Sequence, residues 1–254
     1  MWTRALLKEN GKVAFRRNYW TCVIVSVLAA FLCGGTVGGV NYNLDAEDTR
    51  TMFDGKSAYE YFMQIPPYVW AIVATAIVMG TVLGLAISIL VSNVAIVGRE
   101  RYFLENREHK TDIGRLFYGF QGGRYSTTVL VMFLRSLYIF GWSLLFLIPG
   151  IIKSFSYMLV PYILAENTYL DRKRVFELSS QMMKGHKMEA FELSLSFIGW
   201  ILLGAFTAGL VNVFYTQPYI NANFAEFYSA IKAEAKMKGL FMDNELPGVE
   251  LSEV

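Results

Sequence analysis

The chain has 254 residues, of which 54% are hydrophobic and 17% are charged, and its mean hydropathy is +0.37. Soluble domains carry about 25% charged residues, so the composition excludes an ordinary soluble domain and indicates a membrane protein. The formal net charge of +2 gives no indication of nucleic-acid binding.

The apolar stretches have the length of membrane-spanning helices. No charged residue occurs between Tyr61 and Gly98, and about 20 apolar residues are enough for a helix to cross the hydrocarbon core. Outer-membrane strands are shorter, at roughly 10 residues, and alternate in polarity. Because backbone groups cannot stay unpaired in lipid, the sequence predicts an all-α integral membrane protein.

The first predicted span covers residues 19–40 and follows a basic segment that includes Arg16 and Arg17. Its apolar stretch exceeds the roughly 7 to 15 residues of a signal-peptide core, which favours a retained helix. An acidic segment, residues 41–60, is predicted to be an exposed loop, and the second span is predicted at residues 68–97.

Two polar segments separate the later spans. Residues 99–124 carry charges of both signs, so we expect a loop with a short amphipathic helix at residues 113–120. Residues 166–189 form a second polar connection, in which the apolar positions between Leu170 and Leu178 are spaced like one helix face. We expect these amphipathic helices to lie on the cytoplasmic membrane surface.

A repeated phrase predicts two similar helical hairpins. The sequence Gly141-Trp142 opens a segment that returns at Gly199-Trp200, and each copy continues to a proline–tyrosine pair at Pro161 or Pro218. The arms are predicted at residues 126–148 and 151–165, and at residues 191–207 and 210–228. The predicted turns lie at Pro149, Gly150 and Gly209. These arms are short for full spans, so they either cross with little tilt, thin the bilayer or re-enter partway.

The predicted fold therefore has about six transmembrane helices in three hairpins, of which the last two are an internal repeat. Lys and Arg are concentrated before the first span and in the polar connections, whereas Arg50, Lys56 and Lys153 would lie on the other side. The positive-inside rule then predicts a multi-pass protein of the cytoplasmic (inner) membrane with both termini in the cytoplasm. Residues 1–232 form one membrane domain, and residues 233–254 are predicted to be a disordered cytoplasmic tail.

Charged residues inside apolar segments are candidate sites because a charge in the membrane is costly. We expect Arg135 to have a structural role near the interface, paired with Glu189 or Glu192; an ion or substrate role is the alternative. Lys153 is expected to lie at the outer surface, either as a snorkelling anchor or as a contact for anionic lipid or a partner.

Asn221 and Glu226 add polarity to the last predicted span. Together with Arg135 and Glu192 they could line a polar cavity between the repeats, where transporter sites often lie. The alternative is that they bond neighbouring helices or lie at the water boundary.

Glycines at four-residue spacing occur in both of the first two spans. Gly34 with Gly38 and Gly80 with Gly84 each form a small-xxx-small pattern, which allows close helix approach. The sequence predicts that spans one and two pack together or against another subunit.

No motif predicts catalysis. His109 and His186 stand apart from other metal-ligand residues, and the chain has no nucleotide-binding or hydrolase fingerprint. We therefore expect a non-enzymatic protein without a catalytic, metal or cofactor site.

Four parts of the chain carry a family resemblance: Leu147-Ile148-Pro149-Gly150-Ile151-Ile152-Lys153-Ser154-Phe155-Ser156-Tyr157, Met183-Lys184-Gly185-His186-Lys187, Leu195-Ser196-Phe197-Ile198-Gly199-Trp200, and Pro218-Tyr219 with Phe227-Tyr228. Together they resemble a family of bacterial, mainly Gram-positive, multi-span membrane proteins that is catalogued as a domain of unknown function. The resemblance covers most of residues 1–232. It implies a multi-span inner-membrane protein, and it brings no activity, ligand or site residue.

The expected function is that of a binding protein: a membrane-homeostasis factor, scaffold or accessory subunit whose basic cytoplasmic helices lie on anionic lipid. The expected partners are membrane lipid and a protein partner or second copy that contacts the glycine-rich faces, and no nucleic acid. The alternative is a small transporter or permease with a cavity between the repeated hairpins.

Overall fold

The computed structural model describes residues 3–32, 65–121, 123, 125–207 and 209–248, and these residues are helical or form turns and short connections. The α-helices are α1 Arg4–Arg17, α2 Tyr19–Leu32, α3 Pro67–Ile87, α4 Asn93–Asn106, α5 Tyr125–Leu145, α6 Leu147–Ser156, α7 Val160–Glu166, α8 Arg172–Met182, α9 Lys187–Leu195, α10 Ile198–Phe206 and α11 Gln217–Met237. Two π-helical turns, Ser88–Ser92 and Asn212–Thr216, and a 3₁₀ helix, Ile113–Phe120, join them.

Within the described parts of the chain, four helical stretches are long and apolar enough to cross a membrane: Pro67–Asn106, Tyr125–Leu145, Leu147–Glu166 and Lys187–Phe206. The prediction of an all-α, membrane-spanning protein is confirmed at this level. The predicted spans at residues 19–40 and 210–228 are not among the four. The described part of the first contains only a shorter apolar helix, Tyr19–Ala29, and the second is divided between a π-helical turn and α11.

Helix α4 forms the centre of the core. It packs against the 3₁₀ helix, α2, α5, α7 and α11, and its residues from Glu100 to Asn106 are all buried. The sequence predicts a loop from Arg99 onward, and this prediction is wrong for the first part of the segment. The helix continues because its charged side chains find partners inside the protein instead of in water.

The 3₁₀ helix lies where the sequence predicts a short helix. Asp112 caps it by accepting a hydrogen bond from the Gly114 N–H at 2.8 Å. Its close approach to α4 requires a glycine, because a Cβ atom at Gly98 would lie 1.8 Å from the Leu116 carbonyl oxygen. Local sequence thus specifies the turn, while Gly98 makes room for it.

Helices α5 and α6 fold back on each other around Phe146. The predicted turn at Pro149 and Gly150 is therefore too late in the chain. Pro149 lies in the first turn of α6, where a missing N–H costs no helical hydrogen bond. Gly150 is a packing residue, since a Cβ atom there would lie 2.7 Å from the Ser143 Cα.

The predicted second arm, residues 151–165, is not one helix. Helix α6 ends at Ser156, and α7 begins at Val160 with Pro161 in its first turn. Because proline lacks the N–H that would continue the ladder from α6, the chain breaks between the two helices. All residues of α7 are buried, so the second half of this arm belongs to the core.

The turn after α10 contains Gly209, which has a φ of +84°. Its N–H donates to the Gly204 carbonyl at 2.8 Å, and Gly204 in turn lies against the Asn212 side chain. The left-handed backbone at Gly209 favours glycine because this residue has no Cβ atom.

The C-terminal segment differs from the predicted tail. Helix α11 continues to Met237, and Phe241 and Leu246 are buried against the core. Arg174 Nε donates to Glu245 at 2.7 Å, which lowers the pKa of the Glu245 carboxyl below its usual value. The prediction of disorder is therefore wrong for residues 233–248, because apolar side chains are interspersed among the acidic ones; residues 249–254 lie outside the described part.

Helix α3 makes little contact with the rest of the described chain. None of its residues is buried, and a Cβ atom at Gly80 or Gly84 would meet no atom within 4 Å. The predicted packing of spans one and two through these glycines is thus not made by the described residues. Gly34, Gly38 and the acidic segment 41–60 lie outside them.

Candidate functional site

The charged residues selected from the sequence have separate partners. Arg135 Nε donates to the Tyr157 carbonyl at 2.8 Å, whereas Glu192 forms an ion pair with Arg4 at 2.9 Å. Glu189 accepts its hydrogen bond from His186, at 2.7 Å. The predicted pairing of Arg135 with Glu189 or Glu192 is therefore wrong for this structure.

Asn221 and Glu226 are buried on α11 and hold helices together. The Asn221 side-chain amide donates to Ser26 Oγ of α2 at 3.4 Å. Glu226 pairs with Arg107 Nε at 3.0 Å, next to the end of α4. These contacts correspond to the alternative in which polar residues bond neighbouring helices, and they do not bring Arg135 or Glu192 to the same place.

Lys153 lies among aromatic rings on the hairpin of α5 and α6. Its ammonium group is 5.3 Å from the ring centre of Trp142 and 5.6 Å from that of Tyr157. The Tyr157 ring contacts Phe176 of α8 at 5.2 Å. Lys153 is thus one helical turn from a residue that touches α8, the segment predicted for the opposite side of the membrane. Lys153 at the outer surface and α8 at the cytoplasmic surface are therefore two predictions that the structure does not support together, because the contacts through Tyr157 place Lys153 close to α8.

An open groove separates α5 from α8. Its volume is about 460 Å³, and it is lined by Leu134, Tyr138, Asp171, Arg172, Lys173 and Phe176. We call this the α5–α8 groove. One wall is apolar and aromatic, with the rings of Tyr138 and Phe176 in edge-to-face contact at 5.2 Å. The other wall is the beginning of α8.

The electrostatics of the α5–α8 groove are positive. Arg172 and Lys173 are exposed in the first turn of α8, where the helix dipole also favours an anion. Asp171 precedes them, and its carboxylate already accepts the Lys173 backbone N–H at 3.0 Å. The groove therefore combines two cationic side chains with an apolar wall, which suits an amphiphilic anion.

Sequence reasoning identified the surface helix that contains Arg172 and Lys173, but not their role as lining residues. The available signal was a basic pair directly after a helix-capping aspartate. Its position beside Leu134 and Tyr138 depends on how α5 and α8 pack, which no local pattern predicts.

Helix α4 carries buried charged residues that the sequence does not predict. Arg101 is fully buried, and it donates to Glu105 at 2.6 Å and to the Ala165 carbonyl at 2.8 Å. Its guanidinium lies 4.5 Å from the ring centre of Tyr118. Glu105 also pairs with Arg115 at 3.0 Å. These contacts connect α4, α7 and the 3₁₀ helix.

A second buried ion pair joins α7 to α11. Lys232 Nζ donates to Glu166 at 2.5 Å, beside a stacked pair of rings, Tyr162 and Tyr228, with centres 5.1 Å apart. Glu166 is buried and Lys232 is largely covered. Because the carboxylate and the ammonium neutralise each other here, we assign this pair to structure.

A wider groove, of about 710 Å³, lies between α1 and α11 near His186. The His186 ring nitrogens face two carboxylates, Glu189 at 2.7 Å and Glu234 at 3.3 Å. Lys238 donates a hydrogen bond to Glu234, and this bond lowers the pKa of the Glu234 carboxyl. Among the described residues, no group of three His, Cys, Asp or Glu side chains has an arrangement that could hold a metal ion.

Comparison of the chain with known protein families finds similarity to a family of unknown function. No curated protein and no solved structure gave a significant match to the chain. Residues 144–235, which run from the end of α5 into α11, match the model of the family described as Protein of unknown function (DUF975), and this match confirms the resemblance to a family of unknown function.

Proposed function

We propose that the protein is a non-catalytic integral protein of the cytoplasmic membrane that binds anionic phospholipid and acts in membrane homeostasis, as a scaffold or as an accessory subunit. The observation that carries the proposal is the α5–α8 groove. It combines Arg172 and Lys173 with the apolar side chain of Leu134 on a helix that is long and apolar enough to cross a membrane.

The chemistry of the groove fits a phospholipid headgroup and the start of its acyl chains. A phosphate in the groove would accept hydrogen bonds from Arg172 and Lys173, while the acyl chains would continue along the exposed face of α5. Each base near an anionic surface contributes about 1 kcal/mol, and a helix N-terminus adds roughly 0.3 to 1 kcal/mol. Together these contributions favour an anionic headgroup over a zwitterionic one.

The proposed orientation has both termini and α8 in the cytoplasm. It is supported by the basic residues of α1 and α8, because Lys and Arg concentrate on the cytoplasmic side. We also retain the internal repeat as part of the proposal. It is supported by the two similar sequence segments that begin at Gly141-Trp142 and Gly199-Trp200 and continue to Pro161-Tyr162 and Pro218-Tyr219.

The groove is tested with the double variant Arg172→Ala and Lys173→Ala. Binding of a fluorescent phosphatidylglycerol is measured on the purified full chain in zwitterionic nanodiscs. Loss of two bases worth about 1 kcal/mol each predicts binding weaker by at least about tenfold. The matched control is Lys236→Ala with Lys238→Ala, which removes two exposed charges from the end of α11 and should leave binding within twofold.

Equal binding by both double variants would contradict the groove as the lipid site. Purification of the unaltered chain in mild detergent, followed by mass spectrometry, addresses the wider proposal. Retained anionic phospholipid is the expected result. A stoichiometric protein companion without retained lipid would instead make the protein an accessory subunit that acts by binding protein.

A further inference from the structure

The ends of two hairpins are exposed and apolar. One end is Leu144–Ile148, where Phe146 is 72% exposed, and the other is formed by Phe206 and Leu210, where Phe206 is 87% exposed. We call these the two hairpin ends. Their side chains contact little else in the protein, and neither end contains a charged residue. A hairpin that crossed the membrane completely would turn in or near water, where such a surface is unfavourable.

The α5–α8 groove marks how far the first hairpin extends from water. Asp171, Arg172 and Lys173 line this groove together with Tyr138, so the water boundary meets α5 near its middle. At 1.5 Å per residue, the helical rise from Tyr138 to Phe146 is about 12 Å. The hydrocarbon core is about 30 Å thick. The first hairpin therefore reaches less than half of the way across.

Polar contacts mark a similar level on the second hairpin. The Lys8 ammonium lies 5.2 Å from the ring centre of Phe197, and Arg4 pairs with Glu192 one turn earlier, at 2.9 Å. The helical rise from Phe197 to Phe206 is about 14 Å. Two hairpins with different sequences thus have nearly the same apolar depth, about half of the hydrocarbon core.

The segments that follow the two hairpin ends are largely covered by protein. Helix α7, which completes the stretch Leu147–Glu166, is entirely buried in the protein. After the second hairpin, most of α11 is buried as well, from Pro218 onward. Length and composition alone would allow Leu147–Glu166 to cross completely, but packing commits its second half to the core.

Backbone N–H groups at both hairpin ends take part in hydrogen bonds, which lowers the cost of placing them in lipid. At the first end, the Phe146 N–H donates to Trp142 and the Gly150 N–H donates to Phe146, at 3.1 and 3.2 Å. At the second end, the Gly209 N–H donates to Gly204 at 2.8 Å. The chain therefore reverses direction twice while these N–H groups remain paired.

We propose that both hairpins are re-entrant: each enters one leaflet from the cytoplasmic side and ends near the bilayer midplane, in contact with acyl chains. The partner of this surface is the hydrocarbon of a single leaflet. The inference rests on the proposed function for the cytoplasmic position of α8, and it does not require the α5–α8 groove to bind an anionic headgroup. The helix Pro67–Asn106 then remains as the one complete crossing among the described residues.

Spin labels at single cysteines measure the depth directly. The probes are Phe146→Cys and Phe206→Cys in the full chain, with Cys33→Ala to remove a second reactive thiol; the buried Cys22 serves as the unlabelled background. Both probe sites are exposed, so the substitutions remove no core packing. Reference labels are Tyr169→Cys, which is 73% exposed beside α8, and Ile77→Cys at the centre of α3.

Relaxation by oxygen and by a water-soluble nickel chelate is compared in vesicles of zwitterionic phospholipid. We expect both hairpin-end labels to match Ile77, with strong relaxation by oxygen and at least fivefold less relaxation by nickel than at Tyr169. Hairpin-end labels that match Tyr169 would overturn the inference, because they would lie in water. These vesicles contain no anionic lipid, so failure of the proposed lipid binding would leave this measurement unchanged.

Discussion

The core contains buried charged residues that the apolar composition of the chain does not predict. Arg101 is buried, and its partners include Glu105, the Ala165 carbonyl and the Tyr118 ring. Replacement of a whole buried pair by apolar residues is often neutral, whereas removal of one member leaves an uncompensated charge. Loss of Arg101 alone is therefore expected to lower the free energy of unfolding, because Glu105 would stay buried without it.

The substitution Arg101→Met is expected to destabilise the protein by about 3 to 5 kcal/mol, because Glu105 would stay buried with less compensation. Unfolding in detergent is the measurement. Arg16→Met on the exposed face of α1 is the control, and it should cost less than about 0.5 kcal/mol. The double variant Arg101→Met with Glu105→Met should recover part of the loss; a double variant that is as unstable as the sum of the two single variants would contradict a coupled pair.

At the scale of elements, close approach is concentrated at particular glycines. Helix α4 and the 3₁₀ helix are in contact at Gly98, where a Cβ atom would collide with the backbone of Leu116. Gly84 of α3 has the opposite environment, with no atom within 4 Å of such a Cβ. The same residue type thus has different physical roles in adjacent parts of one long helix.

This contrast predicts different effects of alanine at the two positions. Gly98→Ala should destabilise the protein by about 2 to 3 kcal/mol, because the backbone of the 3₁₀ helix would have to move. Gly84→Ala should be neutral or stabilising by up to about 1 kcal/mol, since alanine is the better helix former. Thermal unfolding of both variants under the same detergent conditions is the measurement, and equal effects would contradict the packing assigned to Gly98.

The whole molecule combines a charged, closely packed core with apolar elements that protrude from it. The core contains α4, α7 and α11, and the protruding elements are α3 and the two hairpin ends. In a bilayer the two parts face different solvents. In the orientation that we propose, the core lies at the cytoplasmic surface, where its exposed charges reach water, and lipid surrounds the protruding elements.

This arrangement predicts which residues are accessible from each side of the membrane. In a Cys33→Ala background, a cysteine at Tyr169 should react with an impermeant maleimide only after the cells are opened. A cysteine at Asp48, in the acidic segment predicted from the sequence, should react in intact cells. Labelling of Tyr169→Cys from outside would invert the orientation, and a lack of labelling at Asp48→Cys would contradict a crossing between that segment and α4.

The fold class follows directly from the sequence. The apolar stretches are long, and helices pair the backbone groups that would otherwise be unpaired in lipid. The short helix at residues 113–120 and the surface helix after Asp171 also follow from local patterns. The turn at Phe146 does not follow from a local pattern, because the pair Pro149-Gly150 fits the first turn of a helix as well as a chain reversal. Order after Lys232 is not predicted by the sequence, because the buried residues Phe241 and Leu246 lie among acidic ones such as Asp243 and Glu245.

Composition and apolar periodicity establish an all-helical membrane protein, because both are properties of short stretches of the chain. Long-range packing establishes which charges are buried, that Arg172 and Lys173 lie beside Leu134 and Tyr138, and that α7, the second half of the stretch Leu147–Glu166, joins the core. These outcomes depend on contacts between residues far apart in the chain. A local pattern therefore establishes that a segment is apolar, whereas packing establishes whether lipid or protein covers it.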